Sequence, residues 1–195
     1  MRRASFVSAL FLGAISLSIS SPLAAADYDV RLLVPGSPFH GVHGLRFDKN
    51  DTLYAASVVG QTIYKVDVAT GKVSTFIGPP DGMADDLAFA PDDGTIAWTS
   101  IEDGIFHIKS PNGPIRRLME HQRGFNAVSF SPDGKRLFVS LVFYGDALYE
   151  VDRNGAKPPR LILKDIGGLN AFEVGRDGMI YGPLWFKGKL VRIDP

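Results

Sequence analysis

Cysteine is missing from all 195 residues, which rules out disulfides, thiolate nucleophiles and cysteine-bound zinc. Stability must then come from packing and strand pairing alone. Net charge is missing too: 21 Lys and Arg offset 21 Asp and Glu, and the densest internal basic pair is Arg116-Arg117. Adjacent strand residues point to opposite faces, so this pair makes no patch, and a phosphate backbone finds no cluster of cations to displace its counterions. Nucleic acid is excluded as a partner on that ground. Common catalytic signatures are absent as well: there is no Gly-x-Ser-x-Gly elbow, no Gly-Lys-Ser or Gly-Lys-Thr phosphate loop, no His-Glu-x-x-His and no Gly-x-Gly-x-x-Gly.

The long apolar stretch is Phe6 to Ile19, loosened by serines, preceded by Arg2-Arg3 and followed by Ala24-Ala25-Ala26. A positive start, a short apolar middle and a small-residue end are the parts of a secretory signal peptide, and the stretch is too short and poorly flanked for a membrane span. The expected organisation is a signal peptide over 1–26 and one domain over 27–195, exported to the periplasm or secreted, with no membrane contact after cleavage.

What the chain does have is a repeat. A small polar or charged residue stands four positions before an apolar strand marker in the pairs His43 with Phe47, Asp85 with Phe89, Asn126 with Phe130 and Asn170 with Val174. The markers are 42, 41 and 44 residues apart, a period that fits propeller blades and leaves no room for a long helix. Each marker is followed by a turn built from Asp, Asn, Pro or Gly: Asp48 to Asp51, Pro91 to Gly94, Pro132 to Lys135 and Arg176 to Gly178. A second strand rich in β-branched and aromatic residues comes next, then a third with period-two alternation, as in Leu148-Tyr149-Glu150-Val151. Outer strands follow at Val73 to Ile77, Ile115 to Met119 and Arg160 to Leu163. The expected fold is all-β: a propeller with four antiparallel, four-stranded blades beginning near 42, 85, 125 and 169, the front part of a six-bladed ring. The fourth blade lacks its outer strand unless Tyr28 to Val34 supplies it, which would instead close a four-bladed ring.

The segment Phe125-Asn126-Ala127-Val128-Ser129-Phe130-Ser131-Pro132-Asp133-Gly134-Lys135-Arg136-Leu137-Phe138-Val139 resembles the Asn-Gly-Leu-Ala-Phe-Ser-Pro-Asp-Gly-Lys-x-Leu-Tyr-Val segment of the senescence marker protein, gluconolactonase and luciferin-regenerating enzyme family. The resemblance runs over about residues 40 to 195 and is strongest in the third repeat. It implies a six-bladed propeller with a divalent cation in its channel, held by a Glu from the first blade, Asn from the next two and an Asp from the fourth that also serves as base. The matching positions are His43, Asp85, Asn126 and Asn170, of which Asn126 alone keeps the family residue.

These four are the candidate metal ligands. With one carboxylate and two amide oxygens among them, calcium is the expected cation, weakly bound, and the His43 imidazole makes zinc the second candidate. Histidine takes a proton near neutral pH, so His43 is the candidate base, with Asp86 the second candidate catalytic group. Loops reaching the same end carry Phe143, Tyr144, Trp185 and His121, the candidate substrate-binding residues around a small molecule. The implied activity is hydrolysis of a lactone or related ester; the alternative is a propeller that binds a small molecule or partner without turning it over. His107, on a third strand away from the axis, is expected to be structural. Mass spectrometry of the exported protein is expected to find Asp27 at the N-terminus; a mature chain that keeps Phe6 to Ile19 would mean an anchor instead.

Overall fold

In the computed structural model, which describes residues 29–36, 38–121 and 123–195, the period-two stretches become fifteen strands with no helix among the described residues. The expected leader lies outside the described residues. The first sheet joins β1 (Leu45–Phe47), β2 (Leu53–Ser57), β3 (Thr62–Val66) and β4 (Val73–Ile77) in chain order. The second joins β5 (Leu87–Phe89), β6 (Ile96–Ser100), β7 (Ile105–Lys109) and β8 (Ile115–Glu120). The third joins β9 (Phe125–Phe130), β10 (Leu137–Leu141), β11 (Ala147–Val151) and β12 (Arg160–Lys164). The fourth holds β13 (Glu173–Val174), β14 (Ile180–Leu184) and β15 (Lys189–Ile193). Every pairing is antiparallel, and the short turns between strands permit nothing else.

The fourth blade has three strands, as the repeat pattern implied, and residues 29–34 carry no strand. Val30 and Leu32 are exposed, while Leu33 passes over the β3–β4 turn, where a Cβ on Gly71 would meet the Leu33 carbonyl oxygen at 2.2 Å. Glycine is required there by both that approach and its positive φ of 70°. The apolar markers are not uniformly buried: Phe130 is, Phe89 and Val174 are half-buried, and Phe47 is 54% exposed. Phe130 sits between two blades, whereas Phe47 belongs to the first blade and has a neighbour on one side only.

The core lies between blades. Tyr54, Ile63 and Ile77 of the first pack on Leu87, Ile96 and Trp98 of the second. Phe106 and Ile108 of the second pack on Phe125, Val128, Leu137 and Val139 of the third. Phe138 and Leu148 of the third pack on Leu169, Phe172, Ile180 and Ile193 at the fourth. Blades therefore hold one another face to face. The β3–β4, β7–β8 and β11–β12 pairs each shift register at the equivalent point, Ile63/Tyr64, Phe106/His107 and Leu148/Tyr149. Bulges at equivalent points bend each outer strand in the same way.

His107 is structural, as its position on β7 suggested. Its ring stacks on Trp98 at 4.9 Å and 6°, and neither ring nitrogen has a hydrogen-bond partner. Burial pushes its pKa down to about 4, against the pull of Asp81, whose Oδ1 lies 3.7 Å from Nε2. The unfolded chain therefore takes up this proton at a higher pH than the folded one. Stability from the neutral ring is full above about 6.5 and is lost as pH falls toward 4. His107→Phe is expected to flatten that pH window in thermal melts, worth about 3 kcal/mol at its acid end. A wild-type melting temperature unchanged between those pH values would contradict this assignment.

Candidate functional site

Alternation alone would send the residue four places before a marker to the opposite face from those one and three places before it. A repeated irregularity prevents this. In the first blade His43 N donates to Ala56 O at 2.9 Å while Ala56 N donates to Gly44 O at 2.8 Å. In the second, Asp85 N donates to Thr99 O at 2.8 Å and Thr99 N to Asp86 O at 3.0 Å. Both blades thus set two residues of the inner segment against one on the second strand. In the third, the β9–β10 register slips between Val139 and Leu141, which places Asn126 and Ala127 opposite Ser140. Asn170 N meets Pro183 O in the fourth, where Ala171 has a φ of +60° and β13 begins later than expected, at Glu173. A bulge re-aims a side chain by cancelling one step of the pleat.

As a result His43, Asp85, Asn126 and Asn170 line one cavity of about 450 Å³, together with Asp86, Arg46 and Glu173. Gly44 is needed beside it: a Cβ there would stand 2.9 Å from the Asp85 carbonyl oxygen and 3.1 Å from the Asp86 Cα. Asp85 is the buried centre of the group. Asn126 Nδ2 donates to Asp85 Oδ2 at 2.8 Å. His43 Nδ1 lies 2.9 Å from the Asp85 carbonyl oxygen and 3.5 Å from Asp85 Oδ1. A carbonyl only accepts, so Nδ1 carries the proton and Nε2 keeps a free lone pair. Burial pushes the Asp85 carboxyl up to about 6; His43 opposes that rise and Asp86 adds to it. Asn170 lines the same cavity without a side-chain hydrogen bond to the other three.

Asp86, the second candidate catalytic group, is otherwise engaged. Its Oδ1 accepts from Leu87 N at 2.9 Å and its Oδ2 from Val128 N at 3.1 Å, so it braces the second blade against the third. Burial raises its pKa as well. Two residues that motif reading passed over form the cavity floor. Arg46 hydrogen-bonds Glu173 across the channel from the first blade to the fourth, donates from Nε to Leu87 O at 3.2 Å, and lies 4.0 Å from Asp86 Oδ1. Glu173 Oε2 also accepts from Ser129 Oγ at 3.2 Å. The signal was present in the repeat: Arg46 and Glu173 each stand one place before a marker, with opposite charge.

The expected substrate-binding residues sit elsewhere. The β10–β11 and β14–β15 turns, tied back by Val142 N to Gly124 O and Trp185 N to Gly168 O, hold Phe143, Tyr144 and Trp185 on the rim of this end, outside the cavity lining. The Phe143 ring meets Trp185 at 6.0 Å and Phe186 at 5.8 Å, both edge-on, and all of these rings are about half exposed or more. His121 is exposed, with Nδ1 held 2.9 Å from Arg123 O, and does not line the cavity. These loops were expected to bring their aromatics inward; the strained φ of +69° at Phe143 turns its ring toward the fourth blade instead.

The donor set fits a hard cation loosely held. Asp85 offers one carboxylate, Asn126 and Asn170 amide oxygens, and the cavity carries three carboxylates against the single Arg46 guanidinium. Calcium takes roughly six to eight oxygens, so water would supply the remainder. Among the described residues no group of three or more His, Asp or Glu is placed to hold a metal ion.

No family model and no curated protein matches this sequence. Its fold has solved counterparts. A chain of the nidogen–laminin complex superposes with a TM-score of 0.72 at 16% identity, over 81% of this chain and 62% of that one. A gluconolactonase from Xanthomonas campestris gives 0.64 at 22% identity, over 79% and 62%. A streptogramin B lyase gives 0.63 at 16% identity, over 81% and 56%. The chain thus spans less than two thirds of the length of each of these neighbours. At such identities the likeness fixes architecture alone: this chain is four blades of a β-propeller.

Proposed function

We propose that this channel end binds a small lactone or related ester beside a weakly held divalent cation and hydrolyses it, in a protein exported from the cytoplasm. The observation that supports the reading most is His43, whose Nδ1 proton is held by the Asp85 carbonyl, leaving Nε2 as base. In this scheme Nε2 takes a proton from water as its oxygen adds to the carbonyl carbon. The ring C–O bond then breaks, and the imidazolium returns the proton to the leaving oxygen. Asp85, buried and hydrogen-bonded to Asn126, orients the imidazole through its carbonyl oxygen. A cation bound by Asp85, Asn126 and Asn170 would polarise the carbonyl. Asp86 keeps the inner strands in register, and the rim rings of Phe143, Tyr144 and Trp185 give the substrate an apolar approach.

The second reading is a non-catalytic small-molecule receptor. The single carboxylate in the ligand ring favours it, because affinity for calcium rises with carboxylate count. Turnover of a lactone panel in ¹⁸O-labelled water separates the two, since hydrolysis puts label into the product carboxyl and binding alone leaves every lactone intact.

Asn126→Ala is expected to weaken calcium binding in a calorimetric titration with little change in melting temperature, whereas Phe130→Ala, in the blade interface, should cost about 3–5 kcal/mol. His43→Gln should reduce turnover by roughly 100-fold or more while leaving fold and calcium affinity in place. Asn170→Asp adds a second charged oxygen ligand and should tighten calcium several-fold. Equal calcium affinity in wild type, Asn126→Ala and Asn170→Asp would remove the cation from this site.

A further inference from the structure

A second cavity, of about 490 Å³, opens at the opposite end of the first two blades, among their β1–β2, β5–β6 and β7–β8 turns. Its aromatic wall is Tyr54, Phe76 and Phe89, with Tyr54 meeting Phe76 edge-on at 5.1 Å and Phe89 at 4.8 Å. Three lysines line it: Lys49, Lys65 and Lys109. Lys65 Nζ lies over the Phe76 ring at 4.7 Å and the Tyr54 ring at 5.5 Å. Lys109 Nζ donates to the carbonyls of Ser110 and Pro111 at 3.1 and 3.2 Å. The Lys49 stem crosses toward the second blade, its Cε 3.8 Å from where a Cβ on Gly94 would stand.

Among the described residues none of these ammonium groups has a carboxylate within 4.0 Å. The two acids in the lining are committed elsewhere. Asp93 pairs with Arg153 Nη2 at 2.7 Å and accepts from Thr95 N, and Asp48 caps its own turn through Asn50 N and Thr52 N at 2.9 Å. The third blade provides an internal comparison, because Glu150 occupies on β11 the place that Lys65 occupies on β3. Glu150 is paired on both sides, with Arg136 and with Arg160. The same place in the first blade has a half-buried cation without a counterion, facing aromatic rings and a void.

We infer that this inter-blade cleft is a binding site for a small aromatic anion, its flat apolar body against Tyr54, Phe76 and Phe89 and its carboxylate, sulfonate or phosphate group between Lys49, Lys65 and Lys109. Unpaired half-buried cations gain from a desolvated anion, and aromatic walls gain from burying a flat apolar one; either partner by itself satisfies half of the cleft. This site shares no residue with the channel cavity and stands or falls independently of the hydrolase reading.

The test is calorimetric titration of the full chain with 2-naphthoate, with 2-naphthylmethanol and inorganic phosphate as separate probes. Saturable 1:1 binding of naphthoate is expected, with naphthylmethanol and phosphate each much weaker. Lys65→Met and Lys109→Met keep the stems and remove the charges; each should weaken naphthoate about tenfold, the loss of one charge-assisted hydrogen bond. Circular dichroism checks that each variant is folded, and Lys49→Met, on an exposed turn, replaces either one that is not. Absence of saturable naphthoate binding overturns the inference. So does affinity unchanged in the lysine variants, equal binding of naphthylmethanol, or loss of binding in Asn126→Ala, which would place the ligand in the channel.

Discussion

Everything at the channel mouth depends on one backbone device, the two-against-one pairing where the inner segment of a blade meets its second strand. It is present as His43-Gly44 against Ala56, Asp85-Asp86 against Thr99 and Asn126-Ala127 against Ser140. Because a pleated strand alternates sides, losing one step of pairing brings consecutive residues to the same side. Asp85 and Asp86 then share one cavity, and that proximity contributes to the raised Asp85 pKa. Without the bulge, Asp85 would face the blade interface, where an ionised carboxylate is costly.

The device works because the blades are held firmly behind it. Each interface is apolar at its centre, and between the second and third blades ion pairs bind the turns at the end away from the channel cavity. Arg153 of the third blade reaches Asp92 and Asp93 of the second while lying 5.6 Å from the Phe130 ring centre. Glu150 bridges Arg136 and Arg160, which hold its pKa down to about 2. Burying aromatic and branched surface between sheets supplies most of the stabilisation, at about 25 cal/mol per Å² of apolar area. The Arg153 pairs tie the third blade to the second, whereas the Glu150 pairs join strands within the third blade; partly exposed pairs of this kind add little stability of their own.

A chain of zero net charge is nevertheless locally polarised. The channel cavity holds Asp85, Asp86 and Glu173 against Arg46 alone, while the far cleft between the first two blades holds three lysines whose neighbouring acids are otherwise engaged. The two ends therefore differ in the sign of their net charge. Burial sharpens that difference, because screening by water and salt is weaker in a cavity than on an open surface.

The sequence alone determined the architecture. A period of 41 to 44 residues, turns rich in Asp, Pro and Gly, and alternating third strands are local properties, and local pattern suffices to specify antiparallel hairpins repeated around an axis. It also singled out His43, Asp85, Asn126 and Asn170, since equal offset from equivalent markers is itself a sequence property. Tertiary structure alone decided the rest. Arg46 and Glu173 are 127 residues apart and meet only because the first and fourth inner strands face each other across the channel. Asp86 became a brace because Val128 of the next blade presents its N–H to it. Phe47 was left exposed by its place in the order of blades, and the rim aromatics were kept out of the cavity by the backbone at Phe143. Partners across blades are set by a rotation about a shared axis, which no local pattern encodes.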